Sequence, residues 1–250
     1  MPDPPTLPPA HPHQRYTEDG RRIREVLSYS RRGNGFTPAQ QKAWDAHHEA
    51  WVIPDEAVDR PDFRLADWFG REAPLIVEIG SGVGEATGVL AAARPSYDVL
   101  ALEVWSPGVA ASLAEVAAAG AANVRFCSVD AVWVLSHLVE PGSLSELWTF
   151  FPDPWPKTRH HKRRLVNAPF ARLAAERLVA GGTWRLATDW ADYAQRMQEE
   201  LDAEPGLEGG VVERWPDRPV TKFERKGLAA DRAITDLAYR RPSPAMPADS

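Results

Sequence analysis

Eight residues, Val77 to Gly84 (VEIGSGVG), constrain this chain more than any other stretch. An apolar run that stops at closely spaced glycines reads as a buried parallel strand turning sharply into a helix. Glycine permits the turn and lets the backbone approach a ligand closely. The residues beyond Gly84 keep the same rhythm. DVLALEV, NVRFCSVD, SELWTFFPD and TWRLATD read as strands. Helical segments separate them at Glu85 to Ala93, Pro107 to Gly120, Ala131 to Val139, and Leu165 to Ala180, the last closed by Gly181-Gly182. A further helix spans about Tyr193 to Ala203, and VVERW and ITDLAYR add two strands joined by a long segment. An alternating series with short connections predicts an α/β fold with a doubly wound, mostly parallel sheet of seven strands. Ligands of such sheets lie beyond the carboxyl ends of the strands. Gly80 to Gly84, Glu103, Asp130, Asp153 and Asp189 all fall at those ends.

The glycines are a weak signal alone, since a plain strand-to-helix turn uses them too. Glu78 and Glu103 sharpen it. Glu78 is a carboxylate inside an apolar strand end, costly unless it finds a partner. Glu103 ends the next strand about 20 residues on, where nucleoside-binding folds place an acid on ribose hydroxyls. Nicotinamide cofactors and S-adenosylmethionine both meet this pattern. Glu78, and Glu85 directly after the loop, oppose a pyrophosphate at that helix N-terminus and suit a cationic ligand. Gly80 and these acids therefore favour S-adenosylmethionine. Asp130 is placed for an adenine amino group, or for capping the helix behind it.

FFPDPWPKTRHHKRR is the second unusual stretch. Prolines at 152, 154 and 156 stiffen the loop and hold Asp153 at the strand ends, useful if a carboxylate must stand beside reacting atoms. The alternative is a surface turn. Trp155 either stacks on a base or packs. The net charge of −6 speaks against nucleic acid, but it is an average. Lys157 to Arg164 holds five Lys/Arg and two His with no acid, and Arg15 to Arg32 and Arg214 to Lys226 are basic as well. A basic run is commonly a solvated face. This one leaves the expected active edge, so phosphate contacts are the economical reading. Asp189 either holds a substrate base or caps the next helix.

EIGSGVGE, LEVWSPGV, DAVWVL, FFPDPWPKTRHHKRR, GGTWRLATDW and RPVTKFERKG together resemble one family, the bacterial tRNA (guanine-N7-)-methyltransferases, over about residues 23 to 240. The resemblance implies a Rossmann-like class I methyltransferase fold over 61–241. It implies an N-terminal RNA-facing extension over 16–60, carried by Arg31-Arg32 and Thr37 to Gln41. It also implies methyl transfer from S-adenosylmethionine to ring nitrogen 7 of a guanine in the tRNA variable loop. By it, Glu78, Gly80, Glu103, Asp130 and Asp153 contact the methyl donor, and Asp153 is catalytic. Lys157, Asp189, Thr221, Lys222, Phe223 and Glu224 contact substrate. Arg159, His160, His161, Lys162, Arg163 and Arg164 contact RNA. A methyltransferase for small molecules would not need three basic clusters, and a relic RNA-binding module would not keep Glu78, Glu103 and Asp153.

Proline-rich ends, 1–15 and 242–250, are expected to be disordered. One cysteine, Cys127, excludes an internal disulfide and fits a reducing, cytoplasmic setting. No apolar run reaches the roughly 20 residues of a membrane span, and the N-terminus lacks a secretory apolar region. No Cys/His spacing suggests a metal. Partner copies leave no signature in the sequence.

Overall fold

The computed structural model describes residues 15–16, 22–23, 28–29 and 35–243. Most of the two proline-rich ends, and Arg31-Arg32, lie outside the described residues. Two short strands, β1 (Arg15–Tyr16) and β2 (Arg22–Ile23), pair antiparallel. The remainder is one eight-stranded sheet with helices on both faces.

The first helix, α1 (Pro38–Trp51), starts where Thr37-Pro38 marks it. Thr37 and Gln40 form a reciprocal capping box, and proline occupies the first turn, where no N–H is required. Directly behind it, β3 (Val52–Ile53) joins the sheet edge, parallel to β6 (Val124–Cys127). This strand corrects the expected count of seven. Two residues carry too little periodicity to be read as a strand.

The central strands are β4 (Leu75–Ile79) and β5 (Asp98–Leu102). Both are apolar runs covered on both faces, which suits parallel pairing. Helices α3 (Glu85–Ala92) and α4 (Ser106–Ala119) follow β4 and β5. Gly120 ends α4 in the left-handed conformation, as its position after an alanine-rich helix suggests. Next come α5 (Ala131–His137) and β7 (Leu144–Phe150). A short 3-10 helix, Thr158–Arg163, leads to α6 (Ala168–Arg177), β8 (Leu178–Thr188) and α7 (Ala191–Asp202). The chain closes with β9 (Glu208–Val212), α8 (Lys222–Ala229) and β10 (Thr235–Arg240). A one-turn helix, α2 (Leu65–Phe69), precedes β4.

The strand order is β3-β6-β5-β4-β7-β8-β10-β9. Strands β3 to β8 run parallel, and β10 is antiparallel to both β8 and β9. The order reverses between β4 and β7, so the crevice expected of such a sheet opens beyond their carboxyl ends. Alternation within strands divides the core. Ile76, Val99, Ala101 and Phe126 pack under α1, α3 and α4, while Val77, Leu100, Leu102 and Cys127 pack under α5, α6 and α7.

Two further expectations change. The helix expected over 165–180 is shorter at both ends. Asn167 caps it from outside with Pro169 in its first turn, and the strand begins at Leu178. Gly181-Gly182 is not a helix stop. It lies inside β8, where the register with β7 shifts between Leu144 and Glu146. Gly181 takes φ +79, and a Cβ on Gly182 would stand 3.0 Å from the Leu144 carbonyl oxygen. The pair makes a bulge. The long segment before β10 contains α8, whose Thr221-x-x-Glu224 start is a capping signature.

Candidate active site

At the carboxyl edge lies a cleft of about 310 Å3, lined by the glycine loop, the ends of β5, β6 and β7, and α8. Gly80, Gly82 and Gly84 all have left-handed φ, between +63 and +85. A Cβ on Gly84 would meet Ser112 Cα at 2.7 Å, so α4 packs against the loop too closely for any side chain. Gly108 of α4 presses equally hard on the Gly82 carbonyl, at 2.5 Å from where a Cβ would stand. The loop is held rigidly before any ligand arrives.

Glu103 sits opposite. Its Oε2 accepts the Gly82 N–H at 2.9 Å and its Oε1 the Trp105 N–H at 2.9 Å. These bonds orient the carboxylate at the cleft wall. They also occupy the amide that a dinucleotide pyrophosphate would use. Glu78 lies behind the loop, 3% exposed, and does not line the cleft. Its partner is the Thr87 hydroxyl, which donates to Oε2 at 2.6 Å. Burial pushes the Glu78 carboxyl up to about 7; the Thr87 bond lowers it and the neighbouring Glu103 raises it further. Ser81, between the glycines, has a buried hydroxyl without a hydrogen-bond partner among the described residues. Asp130 lines the cleft and also caps α5, accepting from Val132 N and Trp133 N at 3.0 and 3.3 Å. Both readings of Asp130 are therefore compatible with its geometry.

Asp153 lines the same cleft, beside Phe150, Phe151 and Pro152. Phe151 and Trp155 flank its loop with φ +52 and +46, which L residues avoid at a cost of about 1–3 kcal/mol each. Strained backbone on both sides of a carboxylate marks a loop whose geometry is held for a purpose. Trp155 packs against the protein. Its Nε1 donates to the Ser28 carbonyl at 3.0 Å, and the Arg163 guanidinium lies 3.4 Å over its ring. Arg163 Nη2 reaches the Tyr29 carbonyl at 2.8 Å. Ser28 and Tyr29 themselves line the cleft. The loop thus fastens Ser28 and Tyr29 as one wall, a role with no local signal in the sequence.

The basic turn divides. Lys157, Arg159 and Lys162 are exposed. His160 packs edge-on against Trp155, and desolvation, then Arg159, Arg163, Lys157 and Lys162, hold its imidazole below the ordinary basicity. His161 stands 3.9 Å from Asp192. Arg164, expected among the RNA-contacting residues, turns inward. Its side chain is 4% exposed, bonded to Asp192 and to the Pro154 carbonyl at 2.9 Å, and it lies 4.8 Å over Tyr193. It anchors the loop to α7 from inside the protein. The hydrogen bond from Arg164, followed by the charges around it, lowers the Asp192 carboxyl, with burial opposing.

The residues at the end of the chain also separate. Lys222 and Phe223 line the cleft. Thr221 is buried and caps α8, accepting from Glu224 N at 3.4 Å. Glu224, 2% exposed, bonds Arg214 and the fully buried Arg218, which also holds Asp236 at 2.8 Å. Asp189 does not line the cleft. It pairs with Arg232 at 2.6 Å, its Cβ 2.7 Å from where a Cβ on Gly227 would stand. Both Arg232 contacts fall on the same carboxylate oxygen, Oδ2. Asp189 does not cap α7 either. Among the described residues no cluster of His, Cys, Asp and Glu has the spacing of a metal site. None of the described helices is long and apolar enough to cross a membrane. Cys127 is buried in β6.

A family model described as putative methyltransferase matches residues 72–237. A tRNA (guanine-N(7)-)-methyltransferase of Nocardioides sp. is 70% identical over 233 residues, 93% of this chain and 94% of the relative. One from Cutibacterium acnes is 48% identical over 89% of this chain and 86% of its own. Among solved structures, the 16S rRNA methyltransferase KamB superposes with a TM-score of 0.51 at 18% identity, over 74% of this chain and 97% of that one. That likeness supports the class of fold.

Proposed function

The chain belongs to the tRNA (guanine-N(7)-)-methyltransferase family, and on that premise we propose that it methylates ring nitrogen 7 of a guanine in the variable loop of tRNA, using S-adenosylmethionine. The observation that carries this reading is the meeting of two unlike surfaces at one sheet edge. Glu103, Asp130 and Asp153 line the cleft, and Lys157, Arg159 and Lys162 leave the same loop as Asp153. An acidic wall with a rigid glycine turn suits a cationic nucleoside. The Ser81 hydroxyl is an unmet donor in that turn, and the Gly82 amide is closed to phosphate by Glu103. The donor set therefore fits S-adenosylmethionine. The bound donor would supply a methyl group on an electron-poor sulfur.

This chain's residues would then bind and align. Glu103 would accept the ribose hydroxyls, in the orientation that Gly82 and Trp105 impose on it. Asp130 would accept from the adenine amino group while still capping α5. Guanine nitrogen 7 carries a lone pair and no proton, so no general base is needed before attack. Asp153, held between strained turns, would face the guanine and offset its growing positive charge. In-line placement of the base against the methyl carbon would be the main source of rate. Lys157, Arg159 and Lys162 would hold tRNA phosphates, and Arg163 would act on the cleft wall through Trp155 and Tyr29. Incubation of the purified chain with tRNA and labelled methyl donor tests this. Label in tRNA that vanishes with Asp153→Ala supports it, and label that persists within about tenfold removes Asp153 from its role.

A further inference from the structure

Glu85 is the first residue of α3, directly after the glycine loop, yet its carboxylate serves a different helix. It accepts the backbone N–H of Lys222, the first residue of α8, and its Oε1 meets Arg225 Nη2 at 2.6 Å. One carboxylate thus lies at two helix N-termini, where the dipole of each favours a negative charge. The bond to Lys222 satisfies one of the orphan donors of α8 that Thr221, occupied with Glu224 N, does not reach. The helix so held carries Phe223 over the loop. The Phe223 ring comes within 3.8 Å of where a Cβ on Gly82 would stand, and Lys222, Phe223 and Lys226 all line the cleft.

We propose that Glu85 is a positioning residue that clasps α8 to the glycine loop, so that Phe223 roofs the methyl-donor pocket and the donor and tRNA halves of the site are set in one register. This rests on the donor assignment above and extends it to Glu85 and Arg225, to which the resemblance gives no role. Anchorage from the other side is strong: Glu224 and Arg218 fix α8 to β10 through buried charges. Of these two attachments, the clasp is the one that reaches the end of the glycine loop. Glu85 is 28% and Arg225 55% exposed, so the pair adds little to global stability. Its effect belongs to the geometry of the cleft.

The test compares Glu85→Ala, Glu85→Gln and Arg225→Ala with the unaltered chain. S-adenosylhomocysteine affinity is read by calorimetry, tRNA methylation by steady-state kinetics and Tm by scanning. Glu85→Ala is expected to weaken S-adenosylhomocysteine binding and raise the tRNA KM by about fivefold to tenfold each, as a small displacement of Phe223 and Lys222 at the cleft implies. Maximal rate is expected to change by less than about threefold and Tm hardly at all. Glu85→Gln keeps an acceptor for Lys222 N, and Arg225→Ala removes only the ion pair, so both fall between. A mere structural prop would lower Tm and leave both affinities intact. Wild-type values for both ligands in Glu85→Ala, or in Arg225→Ala should the first variant not fold, overturn the proposal. If the unaltered chain binds S-adenosylhomocysteine but methylates no tRNA, the tRNA reading fails while the S-adenosylhomocysteine affinity still judges the clasp.

Discussion

The acidic edge and the basic turn sit side by side, and they use charge in opposite ways. On the acidic edge, Glu103 and Asp130 are each tied to backbone N–H groups of their own neighbourhood and still line the cleft. A carboxylate offers several lone pairs, so structural bonding and ligand binding are compatible there. On the basic turn each residue chooses one role. Arg164 is committed inside the protein to Asp192 and Pro154, Arg163 to Trp155 and Tyr29, and Lys157, Arg159 and Lys162 face outward. A run of like charges in a sequence is therefore not one surface, whereas acids at neighbouring strand ends can share one cleft.

That contrast is most exposed at Asp153, which joins the two regions. Asp153→Ala should lower kcat/KM for tRNA methylation by about a hundredfold or more, with S-adenosylhomocysteine affinity far less affected. A drop confined to the methyl-donor KM would move Asp153 wholly to the donor side. Next in size is Arg164→Ala. Removing a buried, charged hydrogen-bond donor should cost about 2 kcal/mol of stability in denaturant unfolding. Unchanged stability together with weaker tRNA binding would return Arg164 to the RNA surface. The double variant Arg159→Ala with Lys162→Ala should do the converse. It should leave Tm in place, weaken tRNA binding about tenfold and reduce the salt slope by about one unit for each phosphate no longer neutralised.

The mildest change concerns Glu78. Its carboxyl is raised from 4.5 to about 7 by burial, so in that window the folded chain holds a proton the unfolded chain has lost. Its contribution to stability is present at the acid end and fades as pH rises through about 7. A cationic ligand favours the ionised form, so S-adenosylmethionine affinity should rise several-fold between about pH 6 and about pH 8. Glu78→Gln should flatten both slopes. A pH-independent affinity in the unaltered chain would place Glu78 out of reach of the donor's charge.

The parallel strands were legible because runs such as LIVEI and DVLAL are buried on both faces, and the helix ends because Thr37-Pro38 and Gly120 have local jobs. Gly181-Gly182 misled because a glycine pair serves a helix stop and a bulge equally, and only the register of β7 decides. The acids of the cleft were legible from their places at strand ends. Their partners were not. Nothing local couples Glu85 to Lys222, 137 positions away, or Trp155 to Ser28, 127 away. Helix α8 could have been found, since Thr221-x-x-Glu224 is a capping pattern, although Glu224 turns instead to Arg214 and Arg218.

If the acidic cleft and the basic turn form one two-substrate site for tRNA, the position of the transferred methyl group follows from it. That position is read by nuclease digestion and mass spectrometry of tRNA treated with the purified chain and S-adenosylmethionine. The expected product is 7-methylguanine at a single guanine of the variable loop, lost in Asp153→Ala. Methyl groups on another atom or base, or none on tRNA from a chain that binds S-adenosylmethionine, would contradict a shared site of this kind.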